Sequence, residues 1–159
     1  MRKPVLSLLA IAIFSPVTSS AAPTQLFWGD THLHTSYSGD AFAMGNESTD
    51  PEAAYRFAKG EPVIHPYNRV RVQLERPLDF LVVADHAEYM GLMQLVRDGS
   101  ELLDDTENGP RLIDMWNNKS AKSVYYDIAG ALVRGKPHQD LLTDSIREPV
   151  WHKIVEAAE

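Results

Sequence analysis

The chain of 159 residues contains no cysteine. Disulfides, thiolate metal sites and a lipid anchor on an N-terminal cysteine are therefore excluded. Any metal must be held by histidine and carboxylate groups, which suit zinc, manganese or iron. Basic charge is also scarce: 15 Lys and Arg stand against 22 Asp and Glu, a net charge of -7. This balance argues against a general nucleic-acid binder, because a phosphate backbone calls for a basic face. A small phosphorylated substrate stays compatible, since bound cations change the local sign. No internal repeat, low-complexity tract or G-x-S-x-G nucleophile motif is present. With 44% hydrophobic and 23% charged residues, the composition is that of an ordinary globular domain large enough to bury a core.

No apolar run is long enough to span a bilayer. The longest, Val5 to Val17, falls short of the roughly 20 residues a crossing helix needs. It follows Arg2 and Lys3 and precedes the small residues of "TSSAA". A basic start, an apolar middle and a small-residue end make residues 1–22 a secretory signal peptide, with cleavage after Ala21 or Ala22. The expected mature protein, residues 23–159, is periplasmic or secreted and keeps no stable membrane anchor.

The stretch "QLFWGDTHLH" alternates as a strand does, with Leu26, Trp28, Asp30, His32 and His34 on one face. Phe27, Gly29, Thr31 and Leu33 take the other face, so the strand is expected to be covered on both sides. The polar "TSYSGDAFAMGNESTD" reads as a loop. Asp50-Pro51-Glu52 starts a helix that Gly60 stops. Alternation around Val70, Val72 and Leu74 suggests a small exposed hairpin. "LDFLVVADH" is a second buried-type strand, and the segment to Gly99 reads as a helix. Further helices are expected near 110–134 and 147–159, the last with Trp151, Ile154, Val155 and Ala158 on its apolar face. This strand–helix–strand–helix order implies an α/β fold with parallel strands and helical crossovers.

Both strands end in histidine and aspartate, and the C-terminal strand ends form the functional rim of parallel α/β folds. On a strand, His32 and His34 point the same way about 6–7 Å apart, and two such imidazoles can converge on one cation. Asp30, on the same face, is placed to accept a ring N–H and fix a tautomer. An H-x-H pair alone is more often a polar strand end than a pair of metal ligands. Asp40 in the following loop and Asp85-His86 after the second apolar strand turn the balance toward a metal site.

The sequences "DTHLHTSYSGD" and "DFLVVADHAE" resemble the first two motifs of the PHP (polymerase and histidinol phosphatase) superfamily. "FWGDTHLHTSYSGDAF", "AYRFAKGEPV" and "RPLDFLVVADHAEYMG" resemble more closely a secreted or periplasmic branch of it, catalogued as a domain of unknown function. The likeness runs from Leu26 to Met93 and more loosely onward. It implies the N-terminal part of a distorted seven-stranded (β/α) barrel with two or three divalent metal ions at its C-terminal rim. By position, His32 and His34 would bind one metal. Asp40 and His86 would bind another, across a bridging water. Asp30 and Asp85 would orient the ligands from behind, with Glu88 near the site. The implied activity is hydrolysis of a small anionic, phosphorylated substrate by metal-activated water.

The chain also departs from that pattern. A bridging Glu, further histidines and a final Asp-x-His are not recognisable, and His65, His138 and His152 are poor substitutes for them. The expectation is therefore an incomplete domain, a gene fragment or a truncated product. Two other readings stay open. One is a non-catalytic truncated barrel. The other is an amidohydrolase-like C–N hydrolase, which also begins with H-x-H. Arg69, Arg71 and Arg76, with Arg56 and Lys59, are candidates for an anion-binding pocket or for a solvated face.

Overall fold

The structure is a computed structural model and describes residues 24–159. The expected signal peptide lies outside these residues. Strand β1 spans Gly29–Leu33 and pairs in parallel with β4, Phe80–Val83. The register places Gly29 opposite Phe80, Asp30 opposite Leu81 and Leu33 opposite Val83, with an irregularity between Asp30 and Leu33. Gly29 is required here, because a Cβ would collide with the carbonyl and ring of Phe80. Asp79 locks the start of the pair: its carboxylate accepts from the Trp28 amide at 2.7 Å and its own amide donates to the Trp28 carbonyl at 2.7 Å.

Between these strands come α1 (Gly39–Ala43), α2 (Pro51–Ala58) and an antiparallel hairpin of β2 (Val63–Ile64) and β3 (Arg71–Val72). The start of α2 follows its sequence signal. The Asp50 carboxylate accepts the Ala53 amide at 2.9 Å, and Pro51 sits where its missing N–H costs nothing. Gly60, at φ 80°, lets the chain turn away. The hairpin also agrees with the alternation of its sequence.

After β4 the chain is helical: α3 (Leu92–Arg97), α4 (Gly109–Asn118), α5 (Ala121–Val133) and α6 (Asp144–Ala158). Their apolar residues recur at helical spacing, as in Val124, Ile128 and Ala131 of α5. Together with Phe42 of α1 they form the core, which includes Leu92, Met93, Val96, Leu112 and Ile146. Thus α3 packs on α4 and α5, α1 packs on α3 and α5, and α2 lies between β4 and α6.

The seven-stranded barrel is not what these residues build. Among the described residues there are only two sheets of two strands each, one parallel and one antiparallel. Past β4 the hydrophobic period is that of a helix, and no further strand forms to extend the parallel pair. The expected burial of the strands is also corrected. β1 is exposed over most of its length, and Leu26, Phe27, Trp28, Phe80 and Val82 all face solvent. An apolar run signals that a strand can be covered; here α2 packs against β4, yet Phe80 and Val82 stay exposed.

Three smaller expectations change too. The loop after β1 contains the short helix α1, and the 110–134 segment is two helices separated at Lys119 and Ser120. The buried face of α6 is Ile146 and Val150, while Trp151 and Val155 are exposed. No helix among the described residues is long and apolar enough to cross a membrane.

Candidate metal centre

Parallel pairing puts the C-terminal ends of β1 and β4 side by side, so His34 and the Asp85-His86 pair meet at one end of the sheet. The turn after β1 brings in Ser38 and Asp40 at the start of α1. Asp40 is the hub. Its Oδ2 lies 2.9 Å from His34 Nδ1 and 3.4 Å from His86 Nε2. On its other side His34 presents Nε2 to His32 Nε2 at 3.1 Å. The imidazole centroids of His32 and His34 are 4.9 Å apart, and those of His34 and His86 are 4.8 Å apart. His34, Asp40 and His86 each offer one donor atom within 4.8 Å of the others.

The Asp40 carboxyl is held low. Burial by itself raises it, but hydrogen bonds from the Ser38 hydroxyl, the Ala41 amide and His34, with the charge of His34, outweigh burial and bring it to about 2. The Ser38 and Ala41 bonds are both 2.6 Å. At neutral pH Asp40 is therefore an anionic donor with fixed orientation.

Ser38 is the residue that sequence reasoning missed. It is fully buried at the N-cap of α1, yet its side chain makes no cap bond. The hydroxyl donates to Asp40 and accepts the His86 amide at 3.2 Å, joining the loop to the second strand end. Its only sequence signal is position: a serine two residues before an aspartate in a turn, where such side chains bond locally.

The other expected residues fall around this hub in different ways. Asp85 does not face a ring nitrogen; it accepts from the Thr35 amide at 2.5 Å and the Thr35 hydroxyl at 2.6 Å, fixing the chain just after His34. Asp30 accepts the His32 amide at 2.8 Å and not its imidazole. Glu88 shares with Asp40, His86, Tyr125 and Leu132 the wall of an adjoining cavity of about 180 Å³.

The remaining histidines lie elsewhere. His65 accepts the Tyr67 amide within the β2–β3 turn, and His152 is exposed. His138 Nε2 sits 2.9 Å from Asp127, which also takes a two-pronged bond from Arg111. That trio ties α4 to α5 and to the segment before α6. Of the expected basic residues, Arg56, Arg69 and Arg71 line one cavity, Arg76 approaches Asp79 at 3.7 Å, and Lys59 is not part of that wall.

Two pairs of donors thus stand near the strand ends, all nitrogen or oxygen, atoms that zinc, manganese or iron can accept as ligands. Ligand atoms 2.0–2.2 Å from a tetrahedral ion lie about 3.3–3.6 Å from one another. The His32–His34 separation of 3.1 Å and the Asp40–His86 separation of 3.4 Å are near that spacing.

No curated protein and no solved structure gives a significant match to the chain. A family model described as a protein of unknown function, DUF3604, matches residues 21–159. That span takes in both strand ends, the loop between them and every helix of the core, and the chain belongs to the DUF3604 family.

Proposed function

We propose that this protein is a metal-dependent hydrolase of the PHP type, acting on a small anionic phosphoester. The observation that carries the reading is the convergence of His34, Asp40 and His86, with His32 3.1 Å behind His34. Divalent cations held by these donors would supply an activated water near neutral pH and polarise a phosphoryl oxygen. His32 and His34 would offer Nε2 atoms to one ion, and Asp40 and His86 would offer donors to another. The likeness of "DTHLHTSYSGD" and "DFLVVADHAE" to the first PHP motifs supports the same assignment. The basic start and apolar stretch of residues 2–17 support export to the periplasm or medium.

The chain's own groups divide the work. Asp40, ionised and hydrogen-bonded, fixes the His34 tautomer in which Nδ1–H donates to its carboxylate, leaving Nε2 free to bind. Ser38 keeps Asp40 and the His86 backbone in register. Asp85 anchors Thr35 so that the strand end cannot swing away.

Hydrolysis of an aryl phosphate by the purified chain, with zinc, manganese or iron supplied in turn, tests the reading. Turnover that needs the metal and drops at least about 100-fold in His86→Ala is the expected outcome. Turnover that is absent with every metal, or indifferent to His86, would refute the assignment.

A further inference from the structure

The arginines beside α2 take no part in the metal-centred reading, and they form a second concave site. A cavity of about 530 Å³ lies between α2 and the β2–β3 hairpin. Arg56 comes from α2, Arg69 and Arg71 from the hairpin, Thr49 from the preceding loop, while Val63 and Ile64 add apolar surface. No carboxylate lines it. In a chain of net charge -7, three arginines around one hollow are a local reversal of sign.

The guanidinium groups differ in how they are held. Arg56 is fixed at the rim by Glu61 at 3.2 Å and by the Pro62 carbonyl at 3.2 Å. Arg69 sits at φ 59° in the turn between β2 and β3, which backbone bonds from Arg69 to His65 and from His65 to Val70 close. Its guanidinium reaches across to the Ser48 hydroxyl at 3.1 Å. Neither Arg69 nor Arg71 has an ion pair among the described residues. Thr49, also in the wall, has a buried hydroxyl without a hydrogen-bond partner.

Unpaired guanidinium forks match the oxygens of a phosphate-type anion, and the apolar surface of Ala53, Pro62, Val63 and Ile64 beside them suits the organic part of a small molecule. The negative charge of the whole chain opposes a long polyanion. We propose that this cavity binds the oxyanion of a small, partly apolar phosphate or phosphonate, at a site separate from the histidine cluster. Arg69 and Arg71 are its principal donors.

The test titrates phenylphosphonate, which carries no hydrolysable ester, into the full chain stripped of metal and dialysed free of chelator. Saturable binding is expected, weakened about tenfold or more in Arg71→Ala, as for loss of one charge-assisted hydrogen bond. It should weaken further in Arg69→Ala/Arg71→Ala and stay unchanged in His34→Ala. Arg71→Lys should fall between parent and Arg71→Ala, and this pair decides the matter if the double variant loses its helical circular dichroism. Binding that is absent, equal in Arg71→Ala and parent, or lost in His34→Ala would overturn the proposal. Because no metal is present, these outcomes are independent of whether the histidine cluster proves catalytic.

Discussion

The Ser38 hydroxyl donates to Asp40 and accepts from the His86 amide, so one buried atom joins two groups 46 residues apart in sequence. Replacing it by alanine leaves the His86 amide without its acceptor and removes one of the hydrogen bonds to the Asp40 carboxylate, which keeps those from Ala41 and His34. We expect Ser38→Ala to lower divalent-cation affinity about 10–100-fold, as loss of an orienting partner does. It should also cost about 1–3 kcal/mol of stability; calorimetric titration and urea unfolding measure the two effects. His32, His34, Asp40 and His86 could be picked out from residue type and spacing, since strand ends concentrate polar donors. Ser38 could not, because a buried serine carries no pattern of its own. The roles of Asp30 and Asp85 were hidden for a related reason: a carboxylate beside a histidine can serve backbone or ring, and only the folded turn decides.

Among the elements, α2 was legible because Asp50, Pro51 and Gly60 mark its limits with specific backbone chemistry, and the hairpin because Val70, Val72 and Leu74 alternate with polar residues. The five-residue α1 was not, since it lies in a stretch rich in Ser, Gly and Asn. The junction before α3 depends on Gly91 at φ 73°, where a Cβ would also press on the Val150 side chain of α6. Gly91→Ala should therefore destabilise the protein by about 1–3 kcal/mol, through backbone strain and overpacking together, seen as a lower midpoint in urea. The α4–α5 contact adds a pH-dependent term. Arg111 lowers the Asp127 carboxyl from its usual 3.8, burial opposes this, and His138 assists Arg111. A lowered folded value means that the stabilisation is fully present above the unfolded value near 3.8 and is lost as pH falls through the folded one. Arg111 is partly exposed, so the term is below about 1 kcal/mol. Asp127→Asn should reduce stability at pH 7 and narrow the difference between urea midpoints at pH 7 and pH 3. An unchanged difference would show that the pair contributes nothing.

For the molecule as a whole, the helical layer buries its apolar faces while the parallel pair leaves Trp28 64% exposed, beside Phe27, Phe80 and Val82. Exposed apolar strands favour association. Light scattering should show self-association that rises with concentration and weakens in Trp28→Lys, with little change in thermal midpoint. The expected barrel had come from motif likeness at two strands, and such motifs define strand ends far better than they define how many strands follow. What the two strands do build is a meeting point for His34, Asp40 and His86. Calorimetric titration of zinc and manganese into the metal-stripped chain, alongside Asp40→Ala and His86→Ala, tests that meeting point most directly. Saturable binding of at least one metal, weakened about 100-fold or more in either variant, is the predicted result. No binding of either metal, or binding equally tight in both variants, would contradict the account.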